Sequence, residues 1–402
     1  GFPQQWWYDG KCYAEEIGDE LFQQYIACKS TKDLRRSGFT EENIWGHRVA
    51  DKGIEFLNTT EDQPFLLVVS FDEPHRPSVA PPEYWERFSI DDIPRPVNYN
   101  APVNNKPELQ RIHREQVGDV PWEKTAEELV PIFGCNSYID REIGRIIDAS
   151  ERLDPENTVI IYTSDHGDMM GAHGLTMKGP MMYDETCRIP FIIRAPQLSL
   201  LGDKDNLPFL STEAKNTSKG VLRSSAVVSH PDIIPMMLDM IGASIPDSLP
   251  GKSLIPALEG GEGGLGEHAF ISFHRFAINH DKAGGFYPIR CITNGRYKLS
   301  INLFDTDELY DLHQDPYELK NRIETTELSS IRDELHDRLL EEMDRTRDPF
   351  RSFEWARRNW RTAMDKYYYG GKLRNRPTVF FFQADCIEPR GGYSGRAPKE
   401  SS

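Results

Sequence analysis

The chain is 402 residues long, too long for one ordinary hydrophobic core and short for three, so two packed units are expected. Hydrophobic residues make up 38% of it, enough to fill a sizeable core, and no apolar run approaches the length needed to cross a bilayer. Its 47 basic against 64 acidic residues give a formal net charge of −17, which disfavours nucleic acid or an anionic membrane as partner and requires a locally positive pocket for any anionic substrate.

The opening Gly1-Phe2-Pro3-Gln4-Gln5-Trp6-Trp7 is neither a signal peptide nor a methionine with a basic leader, so the compartment stays open between cytoplasmic and periplasmic or secreted. Cys12, Cys28, Cys135, Cys187, Cys291 and Cys386 form no CxxC pair, which predicts buried free thiols rather than a zinc or disulfide framework. Apolar positions at Ile44, Val49, Ile54 and Leu57 predict a helix over residues 44–57, and the continuous apolar run over 65–71 predicts a strand buried on both faces of a parallel sheet. Residues 90–122, rich in Pro and Asn, predict a long surface loop. A helix is expected over 125–153, opened by Thr125 and Glu128 as a capping box and carrying Leu129, Ile132, Phe133, Ile139, Ile143, Ile146 and Ile147 on its apolar face.

Strands are expected at 158–163 and 190–194, and a short buried helix at 232–238. The Gly-rich stretch 259–264 is the expected linker, which divides the chain into a main α/β domain over 1–260 and a C-terminal α+β subdomain over 261–402 with a basic and aromatic tail. Within that subdomain 269–273, 288–293 and 297–302 predict strands and 328–345 a helix. In the tail, Arg and aromatic residues alternate over 350–361, a pattern that fits either sugar stacking or an amphipathic helix packed on the main body.

The chemistry concentrates at strand ends, where open α/β sheets place their ligand crevice. Directly after the 158–163 strand comes Ser164-Asp165-His166-Gly167-Asp168, in which Asp165 and His166 offer a carboxylate oxygen and an imidazole nitrogen to one divalent cation; a structural turn is the competing reading. The following loop presents His173, Lys178 and Arg188, a cationic set suited to a tetrahedral oxyanion. The other strand runs into Asp72-Glu73-Pro74-His75-Arg76-Pro77, where two prolines fix the backbone around His75.

The succession SDHGD, GAHG, MKGP, YDET and RIPFIIRAP from Thr158 to Pro196 resembles the sulfatase family within the alkaline phosphatase superfamily. The Pro74-His75-Arg76-Pro77 loop, the segment Tyr138-Ile139-Asp140-Arg141, the stretch with Pro250-Gly251-Lys252-Ser253 and the segment Glu308-Leu309-Tyr310-Asp311-Leu312 match in the same order, so the resemblance covers roughly residues 63–323. It implies an α/β fold with a largely parallel central sheet flanked by helices and a smaller C-terminal α+β subdomain. It further implies Asp165 and His166 as metal ligands for Ca²⁺, with Mg²⁺ or Mn²⁺ as alternatives, Lys178 as the sulfate-contacting lysine and His75 as the active-site histidine. His173 and His274 fall where family members touch substrate.

The family's nucleophile is a formylglycine made from Cys or Ser in a C/S-x-P/A-x-R motif, installed by a formylglycine-generating or anaerobic maturation enzyme. No cysteine here carries that motif: Cys12 is followed by Tyr-Ala-Glu-Glu and Cys386 by Ile-Glu-Pro-Arg. The family's paired aspartates and Gly-Lys-x-His motif are likewise missing from the sequence, so the expectation is a native protein that extends upstream of Gly1 by roughly 100 residues. The expected activity is hydrolysis of a sulfate monoester, of a small molecule or glycan and by preference a sulfated carbohydrate. A phosphonate monoester or phosphodiester hydrolase of the same superfamily and a noncatalytic binding homologue are the alternatives.

Overall fold

Apolar residues at helical spacing account for the first half of the fold. In the computed structural model, which describes residues 10–27, 40–60, 64–195, 226–258, 267–274 and 287–361, helices α1 (Gly10–Ile17) and α2 (Asp19–Ala27) bring the edge of Tyr13 against Tyr25 and Trp45. Helix α3 (Trp45–Thr59) buries Gly46, Val49, Ala50, Gly53 and Leu57, one stripe three or four residues apart. That stripe packs on the long helix α5 (Trp122–Ser150), and Gly53 lets the two approach until a Cβ there would touch Ile146. Ile44, Val79, Ala80, Tyr84, Cys135, Tyr138 and Ile139 form the core between them.

Two expectations for this half are corrected. The 90–122 segment contains helix α4 (Glu108–Val117), because the Asp305 carboxylate accepts the N–H groups of Glu108 and Leu109 and caps it from about two hundred residues away. Helix α5 begins at Trp122 after Pro121, and Thr125, instead of capping it, is buried in a hydrogen bond with the Tyr99 hydroxyl.

β1 (Ile160–Thr163) pairs antiparallel with β2 (Phe191–Arg194), Ile160 facing Arg194 and Thr163 facing Phe191. The apolar run at 65–71 is extended but joins no ladder among the described residues, where a strand of a parallel sheet was expected. Leu66 and Val68 accordingly stand 66% and 78% exposed. The α/β class and the smaller C-terminal subdomain stand. In the latter, β3 (Ala269–Phe273), β4 (Ile289–Thr293), β5 (Tyr297–Asn302) and β6 (Glu308–Asp311) form an antiparallel meander in chain order. Helix α7 (Ser329–Arg345), numbered after α6 (Ile233–Met240), lays Leu335, Leu339, Leu340 and Met343 on β4 and β5.

The chain divides into compact units Gly1–Trp360 and Arg361–Ser402, and only Arg361 of the second is described. The Gly-rich stretch 259–264, expected as a linker, lies outside the described residues, as do Cys28 and Cys386. Among the described cysteines, Cys12, Cys135, Cys187 and Cys291 are free thiols, the second and fourth buried. The Arg and aromatic alternation near residue 355 is a packing device: Trp355 is buried, and Arg358 and the Trp360 indole both bond Asp307.

A buried polar network joins the two halves. Lys298 of β5 is fully buried between Asp184 and Glu318, and Glu318 also accepts the Asp184 N–H at 2.7 Å. Beside it Lys106 donates to the Tyr310 hydroxyl and the Glu318 carbonyl, both at 2.6 Å, and lies over the rings of Tyr183 and Tyr310. Removing one partner of such a set leaves an uncompensated charge in low dielectric. Lys298→Met is therefore expected to destabilise the fold by about 3–5 kcal/mol, read as a lower urea midpoint, and a loss within about 1 kcal/mol contradicts this role.

Candidate active site

The loop after β1 is held by a small number of close contacts. Gly167 donates its N–H to the Thr186 carbonyl at 2.9 Å, and a Cβ at this position would fall 2.0 Å from the Glu185 carbonyl oxygen, so only glycine fits. Ser164 Oγ donates to the His166 carbonyl, and His230 Nε2 donates to the Ser164 carbonyl at 2.7 Å. His230 reaches the loop because Ser229 and Asp232 form a capping box that opens the turn before α6.

Asp165 and His166 are brought together at the surface of this loop. Oδ1 of Asp165 accepts the His166 N–H, which leaves Oδ2, 3.5 Å from His166 Nε2, in an 84% exposed side chain. His166 Nδ1 lies 2.8 Å from the Gly167 carbonyl, which can only accept, so the neutral ring is protonated at Nδ1 and bare at Nε2. Two ligand atoms on adjacent corners of a coordination shell stand about 3–3.5 Å apart when each metal–ligand bond is about 2.1–2.5 Å. The pair thus fits one divalent cation, with its remaining positions supplied by other donors.

His75 sits exposed on the loop that follows the extended run. Its N–H donates to the Asp72 carbonyl and its carbonyl accepts the Ser78 N–H, both at 2.9 Å, while Ser78 Oγ bonds the Pro74 carbonyl. His75 Nδ1 lies 2.8 Å from the Arg76 carbonyl oxygen, which fixes a proton on Nδ1 and leaves Nε2 as the nitrogen that exchanges protons with a ligand. Lys178 is exposed, next to Met177 with its left-handed backbone. Among the described residues no hydrogen bond or ion pair links His75 or Lys178 to Asp165 or His166.

The remaining expected residues behave differently. His173, expected among the cations and against substrate, is 5% exposed, with its ring stacked on Tyr183 at 3.9 Å. Burial, reinforced by Lys106, Arg114 and Lys298, pushes its pKa down to about 3, so it is a neutral packing residue and takes no part in the cationic set. His274 ends β3 with Nδ1 3.3 Å from Arg290 and its ring on Phe350; burial and then Arg290 lower its pKa, and Asp348 pairs with the same arginine. Arg188 is 82% exposed at 3.8 Å from Asp184.

Sequence reasoning passed over His230, Asn98 and Arg114. Asn98 bridges the Glu185 carboxylate and the Tyr317 carbonyl, its own carbonyl accepts the His173 N–H, and Arg114 donates to the carbonyls of Ala101 and His173. Only His230, in its Ser-His-Pro-Asp start signal, left a mark in the sequence. One further cluster, Glu41, His47 and Glu142, brings ligand atoms within 4.8 Å of one another. Arg141 bonds both glutamates and Arg145 bonds Glu142 and Asp51, so these carboxylates already have their cations.

Residues 3–243 match the family profile "Sulfatase", and residues 203–345 match "N-sulphoglucosamine sulphohydrolase, C-terminal". The chain is 35% identical over 382 residues to the Escherichia coli (strain K12) protein "Uncharacterized sulfatase YidJ", covering 93% of this chain and 71% of that one. Among solved structures it is similar to the phosphonate monoester hydrolase of Agrobacterium radiobacter, with 26% identity, TM-score 0.60, and 77% and 62% of the two chains covered. It also shares its fold with a protein solved with its substrate D-glucosamine-2-N,6-O-disulfate, at 21% identity, TM-score 0.60, and 76% and 70% covered. The chain thus spans between 62% and 71% of the length of these relatives.

Because the His173 ring stays neutral in the folded state while an unfolded histidine gains a proton below about pH 6.5, its contribution to stability is complete above that pH and is lost as pH falls toward the native value near 3. Its imidazole NMR signals are expected to stay constant from about pH 8 to about pH 4, whereas a midpoint near about 6.5 would place the ring in solvent.

Proposed function

The chain belongs to the sulfatase family, and on that premise we propose that it hydrolyses a sulfate monoester, by preference of a carbohydrate. The observation that carries the reading is the Asp165 and His166 donor pair, a carboxylate oxygen and an imidazole nitrogen 3.5 Å apart at the end of β1. A divalent cation held there, Ca²⁺ first and Mg²⁺ or Mn²⁺ as alternatives, supplies positive charge that neutralises sulfate oxygens.

Around it the chain's own groups divide the work. Lys178, exposed and without a carboxylate partner among the described residues, is assigned to the non-bridging oxygens, whose charge it stabilises. His75, with Nδ1–H held by the Arg76 carbonyl, is assigned to deliver a proton from Nε2 to the departing alkoxide as the sulfur–oxygen bond breaks. Attack on sulfur is assigned to a formylglycine, for which these 402 residues contain no C/S-x-P/A-x-R motif, so the nucleophile of this reading belongs to a segment outside them. The main domain is assigned to 1–260 and the subdomain to 261–402, and a carbohydrate substrate is favoured by the match over 203–345 to a profile named for N-sulphoglucosamine.

A second reading, a phosphonate monoester hydrolase, is favoured by the likeness to the Agrobacterium enzyme of that name. Parallel rates of the intact protein on 4-nitrophenyl sulfate, glucosamine 6-sulfate and an aryl phosphonate separate the two. A higher kcat/KM for the phosphonate than for either sulfate would displace the sulfatase reading.

Asp165→Ala in the intact enzyme is expected to lose its bound metal, measured by elemental analysis, together with activity; retention of both removes the assignment. His75→Ala is expected to cost about 10²–10⁴-fold on a sugar sulfate and far less on an aryl sulfate, because a phenolate leaves with little protonation. Lys178→Ala, which removes charge needed with either leaving group, is expected to cost about 10²–10³-fold on both.

A further inference from the structure

The loop that carries His75 is tied to the scaffold through a residue that sequence reasoning passed over. Helix α3 is preceded at its N-cap by Ile44, whose side chain has no oxygen to offer, so its first N–H groups need acceptors from elsewhere. One comes from Glu73, two residues before His75: Oε1 accepts the Gly46 N–H at 2.9 Å in a buried contact. Gly46 makes this possible, since a Cβ there would lie 3.2 Å from the Glu73 carboxyl and 2.7 Å from Ile139.

Glu73 is 7% exposed, and its second oxygen, Oε2, has no hydrogen-bond partner among the described residues. A half-satisfied carboxyl in a core is costly, and an apolar residue would fill the same space at less expense in desolvation. Packing therefore does not account for it, whereas anchoring does. The Glu73 bond holds the loop at its entry, and the Ser78 bond to Pro74 and the Cys135 contact to the Val79 carbonyl hold it at its exit. Burial, with smaller contributions from Asp72 and Glu142, raises the carboxyl to about 7. Glutamine, which keeps the Oε1 acceptor, is thus close in form to a state the native residue visits near neutrality.

We propose that Glu73 is a positioning residue for the proton donor, orienting His75 by anchoring its loop to the N-terminus of α3. The inference rests on the reading of His75 as that donor. A residue acting only through His75 carries the same leaving-group dependence as His75 and adds nothing once His75 is gone.

The test uses the intact, matured enzyme with 4-nitrophenyl sulfate and glucosamine 6-sulfate. Glu73→Ala is expected to lower kcat on the sugar sulfate by about tenfold or more, with KM changed less than about threefold and the aryl sulfate rate kept within about threefold. Combined with His75→Ala, it is expected to add less than about twofold. Glu73→Gln restores the sugar sulfate rate, and Glu73→Asp, which withdraws the acceptor from Gly46 while keeping the charge, does not. Equal losses on both substrates, or a multiplicative effect with His75→Ala, overturn the inference. Should Glu73→Ala fail to fold, the order of the Gln and Asp variants still decides, and Asp outperforming Gln overturns it. If His75→Ala alone loses equally on both substrates, the donor reading falls and takes the inference with it. Additivity alongside an intact leaving-group dependence of His75→Ala sinks the inference alone.

Discussion

The ammonium of Lys298, removed from water between Asp184 and Glu318, is the contact on which the loop of Asp165 and His166 depends. Lys298 and Glu318 are desolvated there while Asp184 stays partly exposed, a cost that is recovered only if each charge finds its partner in good geometry. Burial alone would strip the proton from Lys298, but the two carboxylates outweigh it and keep the cation. Glu318 spans the set by bonding both the ammonium and the Asp184 N–H. The short helix Asp184–Cys187 is thereby fixed on the C-terminal sheet, and its Thr186 carbonyl takes the N–H of Gly167 in the loop of Asp165 and His166. Placement of the Asp165 and His166 pair thus descends from β5.

The proposed proton donor is held from another direction. His75 belongs to a loop anchored on α3 and α5, through Gly46 and Cys135, in a core that shares no residue with the Lys298 network. Two loops with opposite proposed tasks, one holding a cation and one releasing a proton, are positioned by separate parts of the chain. Damage to one anchor leaves the other loop in place, which is why leaving-group dependence and metal content are separable readouts.

Much of this was legible in the sequence. The apolar runs at 158–163, 190–194, 269–273, 288–293 and 297–302 became strands because their short, bounded composition has no helical period, and SDHGD fell at a strand end as open-sheet logic requires. What failed to show was supplied from far away. Asp305 caps α4 and Glu73 takes an α3 N–H across 197 and 27 positions, and no local pattern encodes either bond. The run at 65–71 has the composition of a buried strand, yet pairing is a property of two segments, and none among the described residues pairs with it. His173 carries the same imidazole as His75, and its burial beneath the stacked Tyr183, reinforced by the surrounding cations, is what makes it neutral.

The Lys298 network also sets an order of events during synthesis. Its bonds join residues 114 positions apart for Lys298 and Asp184, and 204 apart for Lys106 and Tyr310. Contacts this distant close only after large loops have been brought together, so they form late relative to the local helix pairing of α3 and α5. On a translating ribosome, the Asp165 loop would emerge well before the sheet that clamps it, and would stay unclamped until Glu318 had left the exit tunnel. A nascent chain paused before that point would present a finished histidine loop beside an unset Asp165 loop, a species recognisable by protease sensitivity around Gly167.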